Sequence, residues 1–298
     1  MYPTVKTLTL GTAAALAIGL LCLGYAYFIE PGRLVVNHYQ LRLDNWDPAF
    51  DGFRVALISD IHAGSHYITP QKLRRIVELT NEQDVDAVFM LGDFLSQRGE
   101  NGRRVVRMEP AEIARNLAGL RARFGVFAVL GNHDEWYDPA AMIAALEGDG
   151  YRVLNGEMAV IPVNNGRKLR ILGLKDHTTM GIWRLYSKAA KDLAAPTEHQ
   201  GPLIILQHSP DVLPAITGEM SISGDPQILF AGHTHGGQAW LPVIGSPIVP
   251  SMFGQKFARG HVKAEGLDVF VTTGIGTSIL PLRFLVPPEI AVVTVRAK

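Results

Sequence analysis

Five times along this 298-residue chain a short apolar run stops on aspartate, asparagine or histidine: FRVALISDIH, DAVFMLGDF, FGVFAVLGNHDE, PLIILQH and QILFAGHTH. Apolar runs of four to eight residues, bounded by turn residues, suit strands buried on both faces. The intervening segments are helical in pattern. TPQKLRRIVELTNEQ sets Leu73, Ile76, Val77 and Thr80 on one face, with Thr69 as cap and Pro70 at the first helical position. Further helices are expected from Pro110 to Leu120, Pro139 to Leu146, Trp183 to Leu193 and, briefly, from Pro210. VVNHYQLRLDNW, LRILGL, LDVFVTTGIG and EIAVVTV add strands, and Asn164-Asn165-Gly166 a hairpin turn. Strands separated by helices predict a layered α/β domain, with mixed sheets because of the hairpin and the late strands.

A different pattern precedes this rhythm. Thr7 to Ile29 is a stretch of 23 residues without a charge, ending in Tyr25, Tyr27 and Phe28. About 20 apolar residues span a bilayer, and aromatics gather at its interfaces. The division expected is therefore a membrane anchor over residues 1–30 and a single domain over residues 31–298. A cleaved signal peptide and a buried helix are the alternatives. Lys6 before the run and Glu30 and Arg33 after it give too small a charge difference to set an orientation. The single cysteine, Cys22, lies inside this run, which excludes both an intramolecular disulfide framework and a thiolate zinc site. Lysine plus arginine equals aspartate plus glutamate at 28 each, so no basic field invites nucleic acid, and no stable nucleic-acid partner is expected.

The polar residues at the run ends are Asp60, His62, Asp93, Asn132, His133, His208, His233 and His235. Ligand-binding groups of α/β sheets gather at the carboxyl ends of strands. A single strand-end aspartate is ordinarily a cap, and a single buried histidine ordinarily a hydrogen-bonded structural group. His38, His66, His177, His199 and His261 stay with that reading. Five such ends in one chain are a different matter. Mixed oxygen and nitrogen donors without thiolate suit Mn, Fe, Zn or Ni. Gly92, Gly131 and Gly232 each precede a candidate ligand, where the chain must turn sharply or approach closely.

DIH, GDF, GNHDE, a solitary histidine after an apolar strand and GHTHGG, in this order, resemble the calcineurin-like metallophosphoesterases. The resemblance implies a four-layered α/β/β/α sandwich. It implies two divalent metal ions, one held by Asp60, His62 and His235, the other by Asn132, His208 and His233, with Asp93 bridging. It also implies hydrolysis by a metal-activated hydroxide, with His133 as the catalytic histidine. Asp134, next in sequence, is either a group that orients His133 or an ordinary surface carboxylate. Together with the apolar segment, the tail TTGIGTSILPLRFLVPPEI looks like the bacterial membrane-associated YkuE/YaeI-like phosphodiesterase branch. That likeness implies an inner-membrane protein acting on a phosphodiester or pyrophosphate, with membrane lipids or nucleotide-sugar lipid precursors such as UDP-2,3-diacylglucosamine among the candidates. Gly173-Leu174-Lys175-Asp176 carries one acid where that branch often has two, which loosens the subgroup. A phosphomonoesterase or protein phosphatase, and a non-catalytic metal-binding membrane module, are the other readings. Arg283 is a candidate contact for a substrate phosphate or lipid headgroup, or a structural arginine. SILPLRFLV is either a lipid-facing lip or core.

Overall fold

A computed structural model describes residues 5–100, 103–162, 167–179, 201–218 and 226–298, together with 188, 191, 192 and 222. Helix α1 (Val5–Phe28) leads into β1 (Val35–Leu43), β2 (Phe53–Ile58), α2 (Pro70–Asn81), β3 (Ala87–Met90), β4 (Gln97–Glu100), β5 (Arg103–Val106) and α3 (Pro110–Leu117). There follow β6 (Val126–Ala128), α4 (Asn132–Tyr137), α5 (Pro139–Gly148), β7 (Arg152–Val153), β8 (Glu157–Pro162) and β9 (Lys168–Gly173). The chain closes with β10 (Leu203–Leu206), α6 (Leu213–Thr217), β11 (Pro226–Ala231), β12 (Gly260–Ala264), β13 (Leu267–Val271) and β14 (Glu289–Ala297). The turn expected at Asn164-Asn165-Gly166 and most of the helix expected from Trp183 to Leu193 lie outside the described residues.

The strands form two six-stranded sheets, ordered β1-β14-β2-β3-β6-β7 and β12-β13-β11-β10-β9-β8. Each is mixed. In the first, β14 runs antiparallel to β2 while β2, β3 and β6 are mutually parallel. In the second, β9, β10, β11 and β13 are parallel, with β8 and β12 antiparallel at the edges. The runs look continuously apolar because successive residues face two different cores. Val55 and Leu57 of β2, Phe89 of β3, and Ile228 and Phe230 of β11 meet between the sheets. Ala56 and Ile58 turn to the other side, where Leu73 and Ile76 of α2, Ile113 of α3 and Met142 of α5 cover them. Leu229 and Ala231 face a third core with Leu213 and Ile216 of α6. Three cores separated by two sheets make the four-layered α/β sandwich.

Helix α2 begins as its sequence requires, with Thr69 Oγ1 accepting from the Lys72 amide and Pro70 at the first position. Helix α1 differs from all the others. It is apolar all round and its described side chains are almost entirely exposed, while its length and hydropathy suffice to cross a bilayer. Among the described residues its C-terminal end meets the rest of the protein, where Ala26 is buried.

The inter-sheet core rests on an aromatic chain, with the Phe230 ring 5.8 Å from Phe89 and 6.3 Å from Phe270. Replacing Phe230 by alanine is expected to destabilise the domain by about 3–5 kcal/mol, read as a lower guanidinium unfolding midpoint in detergent. An unchanged midpoint would mean that the sheets do not depend on this contact.

Candidate metal centre

Parallel strands of both sheets end at the same place. β2 delivers Asp60 and His62, β3 delivers Asp93, and Asn132 and His133 follow β6 in the first turn of α4. From the second sheet, β10 delivers His208, and β11 delivers His233 and His235. The connecting loops are bonded to one another: the Asp60 amide donates to Gly92 O, the His62 amide to Asp93 O, and the Gly232 amide to His208 O.

The side chains converge in three overlapping groups whose ligand atoms lie within 4.8 Å of one another: Asp60, His62 and His235; His62, Asp93 and His133; and Asp93, His208 and His233. Asp93 therefore stands between the other two ends. Its Oδ2 is 3.5 Å from His62 Nε2 and 3.3 Å from His208 Nε2. At one end His235 Nε2 lies 3.3 Å from Asp60 Oδ1 and 3.1 Å from His62 Nε2. At the other, His233 Nδ1 lies 3.1 Å from His208 Nε2. Imidazole nitrogens this close to one another and to carboxylates form a donor set that fits a cation. His208 is fixed for that purpose, since its Nδ1 faces Leu91 O at 2.7 Å and Nε2 is left to the cluster. Asn132 Oδ1 and His133 Nδ1 are buried without a hydrogen-bond partner, so the site holds polar atoms that the protein alone does not satisfy. Among the described residues two divalent cations are thus provided for.

The backbone is shaped for this convergence. Asp60, His62, Asp93, His233 and His235 all have φ between +47° and +69°, a conformation non-glycine residues seldom adopt. The preceding glycines give room. A Cβ on Gly131 would lie 2.2 Å from Asp93 Oδ1, and one on Gly232 would lie 2.5 Å from Asp60 Oδ2. Gly92 is restricted twice, by its φ of +90° and by Gly131 N only 2.3 Å from any added Cβ.

Electrostatically, burial raises the Asp60 carboxyl to about 6, and the charge of Asp93 adds to the effect. Burial also lowers His62 to about 4 and His233 to about 3, keeping both imidazoles neutral donors. His208 goes the other way. Burial opposes its charge, but Asp93 and Asp60 outweigh it and raise the group to about 10. Burial likewise opposes the Asp93 charge, and His208 and His62 overcome it, holding the carboxyl well below its usual range. Asp93 is the anionic centre around which the cluster is arranged.

Two candidate residues, Asp134 and Arg283, are occupied by backbone groups. Asp134 does not reach the His133 ring. Its carboxylate accepts the amides of Asp93, Phe94, Leu95 and Gly131 at 2.8 to 3.3 Å, so it positions the Asp93 loop instead. Arg283 is not an exposed phosphate contact. It is fully buried and its guanidinium donates to Thr273 O, Gly276 O and Val286 O, with His235 Nδ1 3.5 Å away. Four of its N–H···O contacts go to these carbonyls, and its burial keeps the group from an exposed phosphate. One part of the site escaped sequence reading: the Gly276 amide donates to Asp60 O at 2.6 Å, and a Cβ there would meet Ile61 O at 2.3 Å. The glycines of TTGIG were its signal. Trp136, whose ring centroid is 5.3 Å from that of His133 at the exposed edge, gave none.

Residues 53–237, more than half of the chain and all of the ligand positions above, match the calcineurin-like phosphoesterase family model. The chain belongs to that family. It is 27% identical over 303 residues to an uncharacterized metallophosphoesterase, YkuE, of Bacillus subtilis, with 96% of each chain covered. It is 25% identical over 272 residues to the phosphodiesterase YaeI of Escherichia coli, covering 90% of each. A Danio rerio transmembrane protein with a metallophosphoesterase domain is 26% identical over 266 residues, 88% of this chain and 56% of that one. The chemistry of this calcineurin-like protein is metal-dependent hydrolysis of a phosphoester-type substrate at a dinuclear centre.

Gly131 has a φ of −99° that any residue adopts, so Gly131→Ala tests space alone. The added methyl is expected to displace Asp93 and lower the metal bound per chain after gel filtration, measured by plasma mass spectrometry. Metal content equal to the wild type would show that the Asp93 loop yields without cost.

Proposed function

We propose that this calcineurin-like phosphoesterase is a membrane-anchored hydrolase of a phosphodiester or pyrophosphate, with residues 1–30 as its anchor and 31–298 as its catalytic domain. The observation that carries the reading is the position of Asp93 between two groups of ligands, with His133 beside them. Asp60, His62 and His235 would hold one cation, Asn132, His208 and His233 the other, and Asp93 would span both. Two divalent cations so placed neutralise the anionic oxygens of a phosphoester and generate a nucleophile from water at neutral pH.

The protein's own groups do the remaining work. The His133 amide donates to Asp93 Oδ1 at 2.9 Å, which fixes the start of α4 against the bridging carboxylate. The His133 ring sits edge-on to His62 with centroids 4.9 Å apart, half-buried where the centre meets solvent. It is therefore positioned to give a proton or hydrogen bond to a leaving oxygen. His233 is the other half-buried member. Asp134 holds the Asp93 loop, and Arg283 the loop behind His235, without touching substrate. The printed name of the Escherichia coli relative supports a diester, and the apolar length of α1 supports a substrate near a bilayer. An inner-membrane location accords with the bacterial relatives.

The test uses full-length protein extracted in detergent and supplied with Mn²⁺, Fe²⁺, Zn²⁺ or Ni²⁺. Bis(p-nitrophenyl) phosphate, p-nitrophenyl phosphate and UDP-2,3-diacylglucosamine are the substrates. Metal-dependent cleavage of the diester or pyrophosphate, nearly abolished by Asp93→Ala, is the expected result. Monoester cleavage alone would favour a phosphomonoesterase or protein phosphatase, and bound metal without any cleavage a binding module.

His133→Gln is expected to lower kcat by about 10²–10⁴-fold while leaving most of the metal bound. Turnover at the wild-type rate would remove the proton-donor role.

A further inference from the structure

Beyond the reaction, the surface around the centre says where the site is placed. We propose that two loops, residues 239–253 and 277–286, form an apolar rim that inserts into the bilayer interface beside α1 and opens the metal centre toward lipid. The occupant of this surface is the membrane itself.

The first argument is depth. No linker separates α1 from the domain. The Arg283 amide donates to Ala26 O at 3.0 Å, the Leu285 amide to Glu30 Oε2 at 2.8 Å, and the Tyr25 ring meets Phe284 edge-on at 6.4 Å. The apolar run continues to Ile29, three residues past Ala26, or about 4.5 Å along a helix axis. The backbone at Arg283 is thus level with the apolar helix rather than beyond it. A loop tied at that depth meets the headgroups and the first acyl carbons.

The second is composition. Outside residues 1–29, ten large apolar side chains are exposed among the described residues, and seven lie on these two loops. Val243, Ile244, Ile248 and Met252 are on one, and Ile279, Leu280 and Leu285 on the other. Scattered exposed apolar residues need no explanation, but a concentration of them marks a contact. Neither 226–264 nor 269–288 contains an aspartate or glutamate, while Lys256 and Arg259 lie on the first segment. The carboxylates that bond to the loops, Asp211 to Met252 and Glu30 to Leu285, are buried, so the exposed apolar tips with basic neighbours suit an anionic bilayer better than a charged protein partner.

The third is conformation. Val243 is fully exposed with φ of +71°, and Ile279 is 94% exposed with φ of +62°. Such turns ordinarily carry glycine or asparagine, and β-branched residues avoid them. A β-branched apolar residue at both tips, touching little of its own protein, is accounted for by an apolar medium around it.

The rim is also part of the site. Gln238, three residues after His235, donates from Nε2 to Leu280 O and Leu282 O, and its backbone carbonyl accepts the Phe284 amide. The Trp240 amide donates to Phe284 O at 2.8 Å, joining the two loops. The strand end that supplies a metal ligand therefore runs directly into the surface that meets lipid.

The test reads position and needs no turnover, so its failure is distinct from failure of the proposed reaction. Full-length Cys22→Ser protein, which removes the single cysteine, receives Val243→Cys, Ile279→Cys or, as control, Asp84→Cys. Asp84 is exposed at the start of β3, the end of that strand opposite Asp93. Each variant carries a bimane label in nanodiscs of phosphatidylethanolamine and phosphatidylglycerol, and unchanged metal content reports that it is folded. Brominated lipid is expected to quench both tip labels severalfold more than the control, as a probe roughly 5–10 Å into the headgroup and acyl boundary requires. Tip labels quenched no more than the control would overturn the proposal. So would tips shielded from aqueous iodide without bromolipid quenching, since that result assigns the surface to protein, as in pairing of two copies.

Discussion

The Asp134 carboxylate is the contact on which the rest of the centre depends. It gathers the amides of Asp93, Phe94 and Leu95 from the loop after β3 and that of Gly131 from the loop after β6. Four donors on one buried carboxylate offset much of the cost of burying its charge. Burial, reinforced by the charge of Asp93, still raises the group to about 7. In return the Asp93 loop cannot relax away from His62 and His208. Every distance in the cluster is measured, in effect, from a backbone that Asp134 holds in place.

What is held is strained. Five of the seven expected ligands occupy left-handed backbone, a conformation that costs on the order of 1–3 kcal/mol at each position. The two packed sheets bear that load, because the strands leading to these residues face closed cores on both sides. Rigid strands thus deliver their side chains to one point in a geometry the loops alone would not keep.

Much of this was legible in the residues because the signals were local. An apolar run that stops on a polar residue names both a buried strand and what stands at its end, so Asp60, Asp93, Asn132, His208 and His233 were found together. The cap at Thr69 was legible for the same reason. The partners of Asp134 and Arg283 were not legible because they are backbone atoms: Asp134 bonds to amides about 40 residues away as well as to that of Gly131, and Arg283 to the carbonyls of Thr273, Gly276 and Val286. A side-chain pattern carries no record of which main-chain groups will be left unpaired. The rim was half legible. SILPLRFLV reads as either lip or core from sequence, and its residues divide, with Ile279 exposed and Val286 buried. The loop around Val243 gave no separate signal, as its exposure depends on tertiary placement alone.

The direct junction between α1 and the domain has a consequence for how such an enzyme counts its substrate. With Ala26 and Glu30 bonded into the loop beside the centre, the catalytic domain has no tether on which to swing. Anchored as proposed, it would patrol a plane rather than a volume. For a molecule dissolved in that plane, the governing quantity is its mole fraction among neighbouring lipids, and dilution with inert lipid slows the encounter even when the amount per cell is constant. Lateral composition of the bilayer then becomes a control on the reaction that acts without any effector binding to the protein.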